Sequence, residues 1–355
     1  MKILKILLLP ISFLYGSIMS VRNFLFYCKI LRSRSFNIPV ISVGNLSFGG
    51  TGKTPHIEYL IRLLKDKYSV AALSRGYGRK TKEFVLASEN LSPCKIGDEP
   101  LQYKTKFKDS IVVAVDEKRK RGIKILFNKF PKLEAILLDD AFQHRWVKPG
   151  LSILLTDFHR LYCNNFPLPS GTLREFRSGA KRADIIIVTK VTSALSPITR
   201  RRLTKIIKPK EHQALYFSYI KYGVLQSIHS EDTIPNSRKI STILLFSGIA
   251  NSYPLQDKLR KKCNELIVMN FKDHHKYSIK DLTKIKNKFE DIYTKNKIII
   301  TTEKDAMRLS KPELIKFAKD LPIYYLPIEV KLHKDDAKEF DKKIIDYVKK
   351  NKRND

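Results

Sequence analysis

A glycine-rich segment between an apolar run and a helix-forming run is the first place where residue types and spacing suggest chemistry. It consists of Ser47, Phe48, Gly49, Gly50, Thr51, Gly52, Lys53 and Thr54. This order matches the phosphate-binding pattern G-x-x-x-x-G-K-[ST], except that Ser47 replaces the first glycine. The glycines let backbone N–H groups turn towards phosphate oxygens, and the following helix adds its N-terminal dipole. We therefore predict a nucleotide site in which Lys53 contacts the β- and γ-phosphates and Thr54 ligates Mg²⁺.

A pair of aspartates follows the apolar run at residues 133–138. If this run is a strand of a parallel sheet, Asp139 and Asp140 lie at its carboxyl end, where ligands of such sheets bind. Carboxylates at that place can hold Mg²⁺ directly or through water, as phosphate transfer requires. Adjacent aspartates also suit a solvated turn, but the glycine-rich segment favours a metal site.

Two further acidic segments each have two interpretations. Asp98 and Glu99 stand between a glycine and a proline, where a carboxylate could act as the base for an attacking oxygen. The same four residues are also ordinary turn chemistry. Asp273 and His274 could form a carboxylate–imidazole pair, although this dipeptide is common on solvated surfaces.

Six apolar, β-rich runs in the first half of the chain are the elements that would position these groups. They are residues 38–44, 69–76, 110–116, 133–140, 151–157 and 183–190. Most are continuous rather than alternating, which is typical of strands covered on both faces. Helix-compatible segments between several of them are 54–67, 117–128 and 176–182. The alternation predicts an α/β fold with a P-loop NTPase-like, doubly wound, mostly parallel sheet.

Several arginines fall at or near the ends of these runs or in the loops after them, where guanidinium groups can grip phosphates. They are Arg75, Arg79, Arg119, Arg145 and Arg174.

The composition becomes basic and polar after Lys190. Residues 214–228 then predict one or two extended strands, and a second series of alternating strands and helices follows. We therefore predict a nucleotide-binding domain at 35–210 and a smaller α/β domain with extended linker strands at 211–345. A basic tail is predicted at 346–355.

The first 34 residues form an apolar segment that carries six basic residues and no acidic ones. The longest uncharged run, Ile6 to Val21, has 16 residues, whereas a spanning helix needs ~20. No convincing cleavage site of a signal peptide follows it. An apolar helix with basic flanks suits the interface of an anionic membrane, and the alternative is a helix buried on the protein's own core. We predict that residues 1–34 contact a membrane.

The chain is strongly basic, with 68 Lys and Arg against 35 Asp and Glu, which gives a net charge of +33. Such an excess attracts nucleic acid, anionic lipid or phosphorylated substrates, and a lysine-rich proteome would also produce it. The 4 cysteines are far apart and lack metal-binding spacing, which is typical of a reducing compartment.

Eight segments, in their order along the chain, resemble those of the tetraacyldisaccharide 4'-kinase (lipid A 4'-kinase) family. They are SVGNLSFGGTGKTP, LSRGYGR, GDEP, LLDDAFQHR, PSGTLREF, FSGIAN, FKDHHKY and TTEKDAMRL. The resemblance implies transfer of the γ-phosphate of ATP, with Mg²⁺, to the 4'-hydroxyl of a tetraacylated glucosamine disaccharide 1-phosphate, giving lipid IVA. It also implies that the protein acts at the cytoplasmic face of the inner membrane, as a peripheral or monotopic protein.

The resemblance assigns roles to individual residues. The family's catalytic aspartate falls on Asp98 and its histidine partner on His274, and this pair would meet when the two predicted domains close. Asp139 and Asp140 take the metal role, and Lys53 keeps its phosphate contact.

Further family positions near substrate or nucleotide fall on Arg119, Gln143, His144, Arg174 and Glu175, to which we add Arg75. Phe176 departs from the proline that is usual in the family after Leu-Arg-Glu. The expected partners are the acylated disaccharide phosphate and an anionic inner-membrane surface, with no nucleic acid and no obligate protein partner.

Other functions are also compatible with a phosphate loop. One is a kinase for a soluble metabolite, with the N-terminus folded onto its own core. Another is a basic nucleotide-hydrolysing module that binds nucleic acid, although no base-stacking motif or recognition helix is present in the sequence. A GTPase is disfavoured because the run IIIVTKVTS lacks the aspartate that would read guanine.

Overall fold

Two β-sheets organise the chain, whose computed structural model describes residues 2–79, 81–88, 93–230, 232–234 and 239–351. The strands are β1 (Val40–Asn45), β2 (Val70–Ser74), β3 (Val85–Leu86), β4 (Val112–Val115), β5 (Ala135–Asp139), β6 (Leu151–Asp157), β7 (Ile185–Thr189), β8 (Ala214–Tyr222), β9 (Leu225–Ser227), β10 (Thr233–Ile234), β11 (Ile240–Ser247), β12 (Cys263–Asn270), β13 (Lys297–Thr302), β14 (Ile323–Leu326) and β15 (Ile328–Leu332).

Helices lie between most of these strands. They are α1 (Lys2–Leu7), α2 (Leu9–Tyr27), α3 (Lys53–Leu64), α4 (Pro93–Ile96), α5 (Asp98–Phe107), α6 (Arg119–Lys129), α7 (Pro197–Ile207), α8 (Tyr253–Arg260), α9 (Ile279–Glu290), α10 (Glu303–Arg308), α11 (Pro312–Ala318) and α12 (Lys334–Asn351). Short 3₁₀ helices occur at Lys108–Ser110, Tyr162–Asn164 and Arg177–Arg182.

The first sheet has nine strands in the order β15-β8-β7-β6-β1-β5-β2-β4-β3. Its seven central strands are parallel, and β3 and β15 pair antiparallel at the two edges. All six strands predicted in the first half of the sequence are present, and the predicted mostly parallel α/β sheet is confirmed.

Both faces of this sheet are covered, which explains why its strands are continuous apolar runs. On one face, Ile41 and Val43 of β1 pack with Ile61 of α3 and Ile344 of α12. On the other face, Val40 belongs to a cluster that includes residues of α6.

The second sheet has six strands in the order β10-β9-β14-β13-β11-β12. β11, β12, β13 and β14 are parallel to one another, and β9 and β10 pair antiparallel at one edge. Apolar clusters with α9 and α11 on one face and with α8 on the other make this part a smaller α/β unit.

The two sheets divide the chain differently from the predicted limits of 210 and 345. β8, which follows the predicted boundary, pairs with β7, and β15 returns to pair with β8. α12 packs on the first sheet through Phe340 and Val348. The difference arises because β8 pairs with β7 and because α12 has an apolar face that packs on the first sheet. Neither feature is visible in the local composition. The predicted basic tail begins inside α12, and its residues 352–355 lie outside the described residues.

The N-terminal helix α2 presents an apolar face outwards. Its buried residues are Ser12, Gly16 and Phe26. The exposed large apolar side chains of residues 6–30 are Ile6, Leu7, Ile11, Phe13, Leu14, Ile18, Val21, Phe24, Tyr27 and Ile30. Among the helices that the structure describes, none combines the length and apolar character needed to cross a bilayer.

Candidate active site

The glycine-rich segment leaves the first sheet at the centre of its carboxyl edge. β1 ends at Asn45, and its neighbour β5 ends at Asp139, which is in register with Val43. The loop between β1 and α3 therefore lies beside the two aspartates. Gly52 has a φ of +88°, a left-handed conformation that favours glycine, directly before α3. The side chain of Asn45 donates to Oγ1 of Thr51 at 2.8 Å and fixes the loop from inside.

The outer side of this loop is open. A Cβ atom at Gly49 or Gly50 would meet no atom of the described residues within 4 Å. Ser47 and Thr54 are buried at the two ends of the loop, whereas the ring of Phe48 is exposed. A ligand can therefore approach the loop backbone at the two glycines.

His56 holds the start of α3 beneath the loop. Its Nδ1 lies 2.7 Å from the carbonyl oxygen of Gly52, and its Nε2 lies 3.0 Å from Oγ of Ser218. Because a carbonyl oxygen only accepts, Nδ1 carries the proton and Nε2 accepts from the serine. Burial lowers the pKa of His56 to about 4, so the ring is neutral at pH 7.

Lys53 begins a chain of polar contacts across the carboxyl edge. Its Nζ lies 3.6 Å from Oδ2 of Asp140, and Oδ1 of Asp140 accepts from Arg174 at 2.8 Å. Arg174 also donates to Oε1 of Gln143 at 3.3 Å, and its guanidinium carbon lies 4.9 Å from the ring centre of Phe48. Burial would raise the pKa of Asp140, but Lys53 and Arg174 lower it below its usual value. The carboxylate is therefore held ionised between two cations.

Asp139 is buried at the end of β5 and is only partly satisfied. Its Oδ2 accepts from the hydroxyl of Tyr103 on α5 at 3.0 Å, while its Oδ1 is buried without a hydrogen-bond partner among the residues that the structure describes. Burial raises the pKa of Asp139 to about 6, and the charges of Glu99 and Asp140 add to this effect. A bound cation would coordinate the free oxygen and stabilise the ionised form of Asp139, which burial and the neighbouring carboxylates disfavour.

Arg119 contacts Asp139, and two further basic residues, His144 and Arg75, lie near Arg119. Arg119, at the start of α6, is buried and donates to the backbone oxygen of Asp139 at 3.3 Å. Burial lowers its pKa to about 10, so it stays protonated at neutral pH. His144 has its pKa lowered to about 4 by burial and then by nearby arginines, including Arg119. Arg75 is exposed after β2, and its charge acts on both of these groups.

A basic cavity of about 520 Å³ opens next to His144. It is lined by Lys118, Lys120, Arg121, Lys124, His144 and Trp146. Trp146 also packs against Phe26 of α2, with ring centroids 5.1 Å apart. One wall of the cavity therefore contacts the N-terminal helix, and its charge suits an anionic group.

Asp98, the first residue of α5, meets His274 from the loop after β12. Oδ2 of Asp98 lies 3.6 Å from Nδ1 of His274. Arg308, the last residue of α10, donates from Nε to the same Oδ2 at 2.7 Å. Burial would raise the pKa of Asp98, but His274 and Arg308 lower it below its usual value. The structure thus brings the two predicted residues together, with an arginine between them.

Two further ion pairs join α5 to α10. Glu99 pairs with Lys304 at 2.8 Å, and Lys106 pairs with Glu303 at 2.6 Å. Lys106 also contacts the buried Glu58 at 2.7 Å. Opposite charges therefore face each other along the junction between the first and second sheets.

The N-terminal helix reaches the same polar network from another side. Oε1 of Glu175 accepts from Gln143 at 3.2 Å. Oε2 of Glu175 accepts from Asn23 of α2 at 2.7 Å. Arg22 of α2 donates to the backbone oxygen of Gln143 at 3.3 Å, and Tyr15 donates to that of Arg174 at 3.1 Å. Contacts therefore run without interruption from Lys53 at the loop to α2.

Two arginines predicted near phosphates lie outside this network. Arg79 donates to the backbone oxygen of Glu83 at 2.8 Å. Arg145 donates to the backbone oxygen of Asn23 at 3.0 Å and lies over the ring of Phe26. Both therefore support local structure, and Arg145 helps to hold α2.

Several residues at the site were missed in the sequence. Lys190, directly after β7, donates to Asp157 at 2.7 Å and to the carbonyl of Gly50 in the loop. Tyr103 contacts Asp139, and its position one turn after Glu99 on the same helix was a usable signal. Arg308 had no signal in the sequence, because only the fold brings it next to Asp98.

No group of three or more His, Cys, Asp or Glu side chains placed to hold a metal ion occurs in the part of the chain that the structure describes. Mg²⁺ in phosphate-transfer sites needs only one or two carboxylates, because substrate phosphates and water supply the remaining oxygens. The free Oδ1 of Asp139 fits that requirement.

Comparisons with known proteins agree with this geometry. The sequence model of the family described as tetraacyldisaccharide-1-P 4'-kinase matches residues 4–349. The chain is 47% identical over 358 residues to the tetraacyldisaccharide 4'-kinase of Bacteroides thetaiotaomicron, covering 98% of this chain and 94% of that protein. It is 48% identical over 352 residues to the enzyme of the same name from Flavobacterium psychrophilum, covering 98% of each chain.

A solved structure is similar over almost the whole chain. It is the "apo" form of LpxK from Aquifex aeolicus in complex with ATP, with a TM-score of 0.73 and 29% sequence identity. The match covers 97% of this chain and 99% of that one.

Proposed function

The chain belongs to the tetraacyldisaccharide-1-phosphate 4'-kinase family and is a kinase of lipid A biosynthesis, and from this we propose how its residues transfer phosphate at a membrane surface. ATP is the donor, and the acceptor is the 4'-hydroxyl of an acylated glucosamine disaccharide 1-phosphate. The observation that carries the proposal is the polar network from Lys53 of the loop to Asn23 of α2. It joins a phosphate site to a helix whose apolar face is exposed.

Lys53 and the open backbone at Gly49 and Gly50 hold the transferred phosphate. The lysine already faces a carboxylate, Asp140, at 3.6 Å, so an incoming phosphate would exchange one anionic partner for another. Arg174 shares the same carboxylate and would balance the charge that the phosphate brings.

Thr54, Asp139 and Asp140 are the residues that would hold Mg²⁺. Oδ1 of Asp139 has no partner in the described chain, and the raised pKa of this carboxyl reflects its burial. When bound, the ion would neutralise charge on the phosphate oxygens. Asp140 is kept ionised by Lys53 and Arg174 and so is ready to act as a ligand.

Asp98 is the proposed base for the acceptor hydroxyl. Asp98 is the first residue of α5. Tyr103, further along the same helix, contacts Asp139, so α5 places the Asp98 carboxylate on the same side of the sheet as the proposed metal ligands. Asp98 takes the hydroxyl proton as the oxygen bonds to the γ-phosphorus and the bond from that phosphorus to the leaving ADP oxygen breaks. His274 lies next to Asp98, with its Nδ1 3.6 Å from Oδ2, and the donor that stabilises the carboxylate is Arg308, at 2.7 Å.

The disaccharide is proposed to lie between this edge and α2. Arg75, Arg119, Gln143, His144, Arg174 and Glu175 line that region as candidate contacts. The cavity beside His144 would receive an anionic group of the acceptor, because four of its six lining residues are lysine or arginine.

The exposed face of α2 is proposed to rest in the anionic inner-membrane surface on its cytoplasmic side, where ATP is available. Leu14, Ile18 and Val21 are each about 60% exposed on that face. The polar residues of the opposite side, such as Asn23, contact the protein instead. A helix with this orientation places acyl chains beside the site while the sugar phosphates stay in water.

Transfer of radiolabel from [γ-³²P]ATP to the acylated disaccharide 1-phosphate tests the activity. Phosphate on the lipid at the 4'-position is expected, and no transfer to this acceptor with full transfer to a deacylated or unrelated metabolite would reject the proposal.

Sedimentation with anionic vesicles tests the membrane surface. The double variant Leu14→Glu/Ile18→Glu is expected to stay in solution while the wild type pellets, because two charges would have to enter the interface. Ile198→Glu is the control, since Ile198 is an isoleucine on α7 that is even more exposed, at 80%. Equal loss of binding in the control would point to non-specific charge effects and reject the helix as the contact surface.

A further inference from the structure

Arg308 is a buried arginine whose guanidinium contacts four groups at the junction between the two sheets. Its Nε donates to Oδ2 of Asp98 at 2.7 Å. Its Nη1 donates to the backbone oxygen of Gly248 at 2.8 Å and to Oδ1 of Asp305 at 2.7 Å. Its Nη2 lies 3.2 Å from Nδ1 of His274. No other residue in the described chain contacts both Asp98 and His274 through hydrogen bonds.

The contact with His274 fixes which ring nitrogen carries the proton. A guanidinium can only donate, so Nδ1 of His274 accepts, and the ring proton of the neutral imidazole is on Nε2. Nδ1 is therefore not free to donate to Asp98, from which it is separated by 3.6 Å. Asp98 is left with one oxygen bonded to Arg308 and with Oδ1 free of any donor among the described residues.

The anchor of Arg308 is itself rigid. Asp305 accepts from Thr302 at 2.7 Å and from the backbone N of Gly248 at 3.0 Å, and it has no exposed surface. His274 is in a left-handed backbone conformation with a φ of +57°, and its N–H is bonded to the carbonyl of Gly248 at 3.1 Å. Arg308 and His274 are thus tied to the same short loop after β11, and this loop sets their spacing.

We propose that Arg308 is a positioning residue for phosphoryl transfer, which fixes His274 as its Nε2–H tautomer and orients Asp98 so that Oδ1 faces the acceptor hydroxyl. This inference rests on the proposed function, since it assigns the base role to Asp98. A fork of five N–H groups can bridge a carboxylate, a second carboxylate, a carbonyl and an imidazole at once, whereas a lysine ammonium has only three donors at one point.

Loss of Arg308 would remove the one guanidinium that contacts both Asp98 and His274 among the described residues. Asp98 also lies near Glu99 and Lys304, and His274 near Asp273 and the ring of Tyr77. None of these replaces the guanidinium, because Lys304 is paired with Glu99 at 2.8 Å.

The first test is kinetic and uses Arg308→Gln and Arg308→Lys in the full-length protein. Arg308→Gln is expected to lower kcat by about 10- to 100-fold with the KM for ATP changed less than about threefold, because the nucleotide loop is untouched. The acidic limb of its pH–rate profile is expected to move up by about one pH unit, since the cation next to the base is gone. Arg308→Lys should recover part of the pH shift but little of kcat. Wild-type kcat and profile in Arg308→Gln would overturn the proposal.

Lys106→Gln is the matched control for structure. It removes an ion pair from the same α5–α10 junction without touching Asp98 or His274. It is expected to lower the thermal midpoint while leaving the pH–rate profile in place. A shift of the acidic limb equal to that of Arg308→Gln would assign the effect to the junction as a whole and overturn the positioning role.

The tautomer gives a readout that does not depend on kinase activity. In protein labelled with ¹⁵N-histidine, the His274 signals, assigned by comparison with His274→Asn, are expected to show the proton on Nε2 in the wild type and a mixture in Arg308→Gln. A proton on Nδ1 in the wild type would overturn the inference. If the wild type transfers no phosphate to the disaccharide, the proposed function fails, and the tautomer alone then decides whether Arg308 orients His274.

Discussion

Asn23 of the N-terminal helix donates to Oε2 of Glu175 at 2.7 Å, and this bond is where the apolar helix joins the polar network of the active site. Glu175 is almost fully buried, at 2% exposure, and its other oxygen accepts from Arg182 at 2.7 Å. Both carboxylate oxygens thus accept hydrogen bonds, one from the helix and the other from the core. A change at Asn23 therefore acts on the seating of α2 rather than on the nucleotide loop.

Asn23→Asp is expected to lower the thermal midpoint at pH 8 more than Asn23→Ala does. The alanine variant loses one bond to a buried carboxylate, worth about 1–3 kcal/mol. The aspartate variant adds repulsion between two carboxylates in contact, which protonation relieves, so the two variants should converge as the pH falls towards 5.

Asn287→Asp on α9 is the control for that experiment, because Asn287 is exposed on a helix of the second sheet. Its melting temperature should stay within about 1 °C of the wild type at both pH values, as expected for a surface change. Identical melting of Asn23→Asp and Asn23→Ala at pH 8 would contradict the contact with Glu175.

Asp98→Asn is expected to lower kcat by about 10²- to 10⁴-fold while leaving ATP affinity within about twofold. The amide keeps the shape of the side chain but cannot take a proton, and Asp98 makes no contact with the loop of residues 47–54. Single-turnover phosphate transfer and equilibrium binding of a non-hydrolysable ATP analogue separate the two effects. Unchanged transfer would remove Asp98 from the reaction.

The first sheet and the position of the glycine-rich loop beside Asp139 and Asp140 were predictable because their signals are local. Continuous apolar runs at 38–44 and 133–140 became adjacent parallel strands, as the burial of both faces requires. The spacing from Ser47 to Thr54 predicted where Lys53 would lie. In the structure Lys53 then faces Asp140 at 3.6 Å.

Other parts of the site were not predictable from local patterns. Arg308 reaches Asp98 across 210 residues of sequence, and nothing in its neighbourhood distinguishes it from a solvated arginine. The predicted helix at 176–182 is a 3₁₀ helix from Arg177 to Arg182. The boundary near 210 could not be placed correctly, because pairing of β8 with β7 and β15 depends on segments distant in sequence.

His56→Gln is expected to reduce the loss of stability at acidic pH. The folded-state pKa of His56 is lowered to about 4 by burial, whereas an unfolded histidine has a pKa of about 6.5, so the unfolded chain binds the extra proton between these values. Stability contributed by the neutral ring is therefore full above pH 6.5 and is lost as the pH falls towards 4. Between pH 7.5 and 5 the wild type should lose about 2 kcal/mol more of its free energy of unfolding than His56→Gln.

Urea titrations at the two pH values measure this difference, and subtraction of the two proteins cancels the other titrating groups. His159→Gln serves as the control, because His159 is an exposed histidine outside α3. If His56→Gln and the wild type lose equal stability on acidification, the neutral buried ring is disproved.

Gly16 of α2 lies against the ring of Phe176, and this contact predicts a double-mutant outcome. A Cβ atom at position 16 would lie 2.5 Å from Cζ of Phe176, so Gly16→Ala is expected to destabilise the protein by about 1 kcal/mol or more despite the better helix propensity of alanine. In the Phe176→Ala background the clash is absent, and the same change should stabilise by up to about 1 kcal/mol. Urea unfolding of the four proteins gives the coupling energy. Equal effects of Gly16→Ala in both backgrounds would show that the ring does not hold the helix, and that α2 is seated by its polar contacts alone.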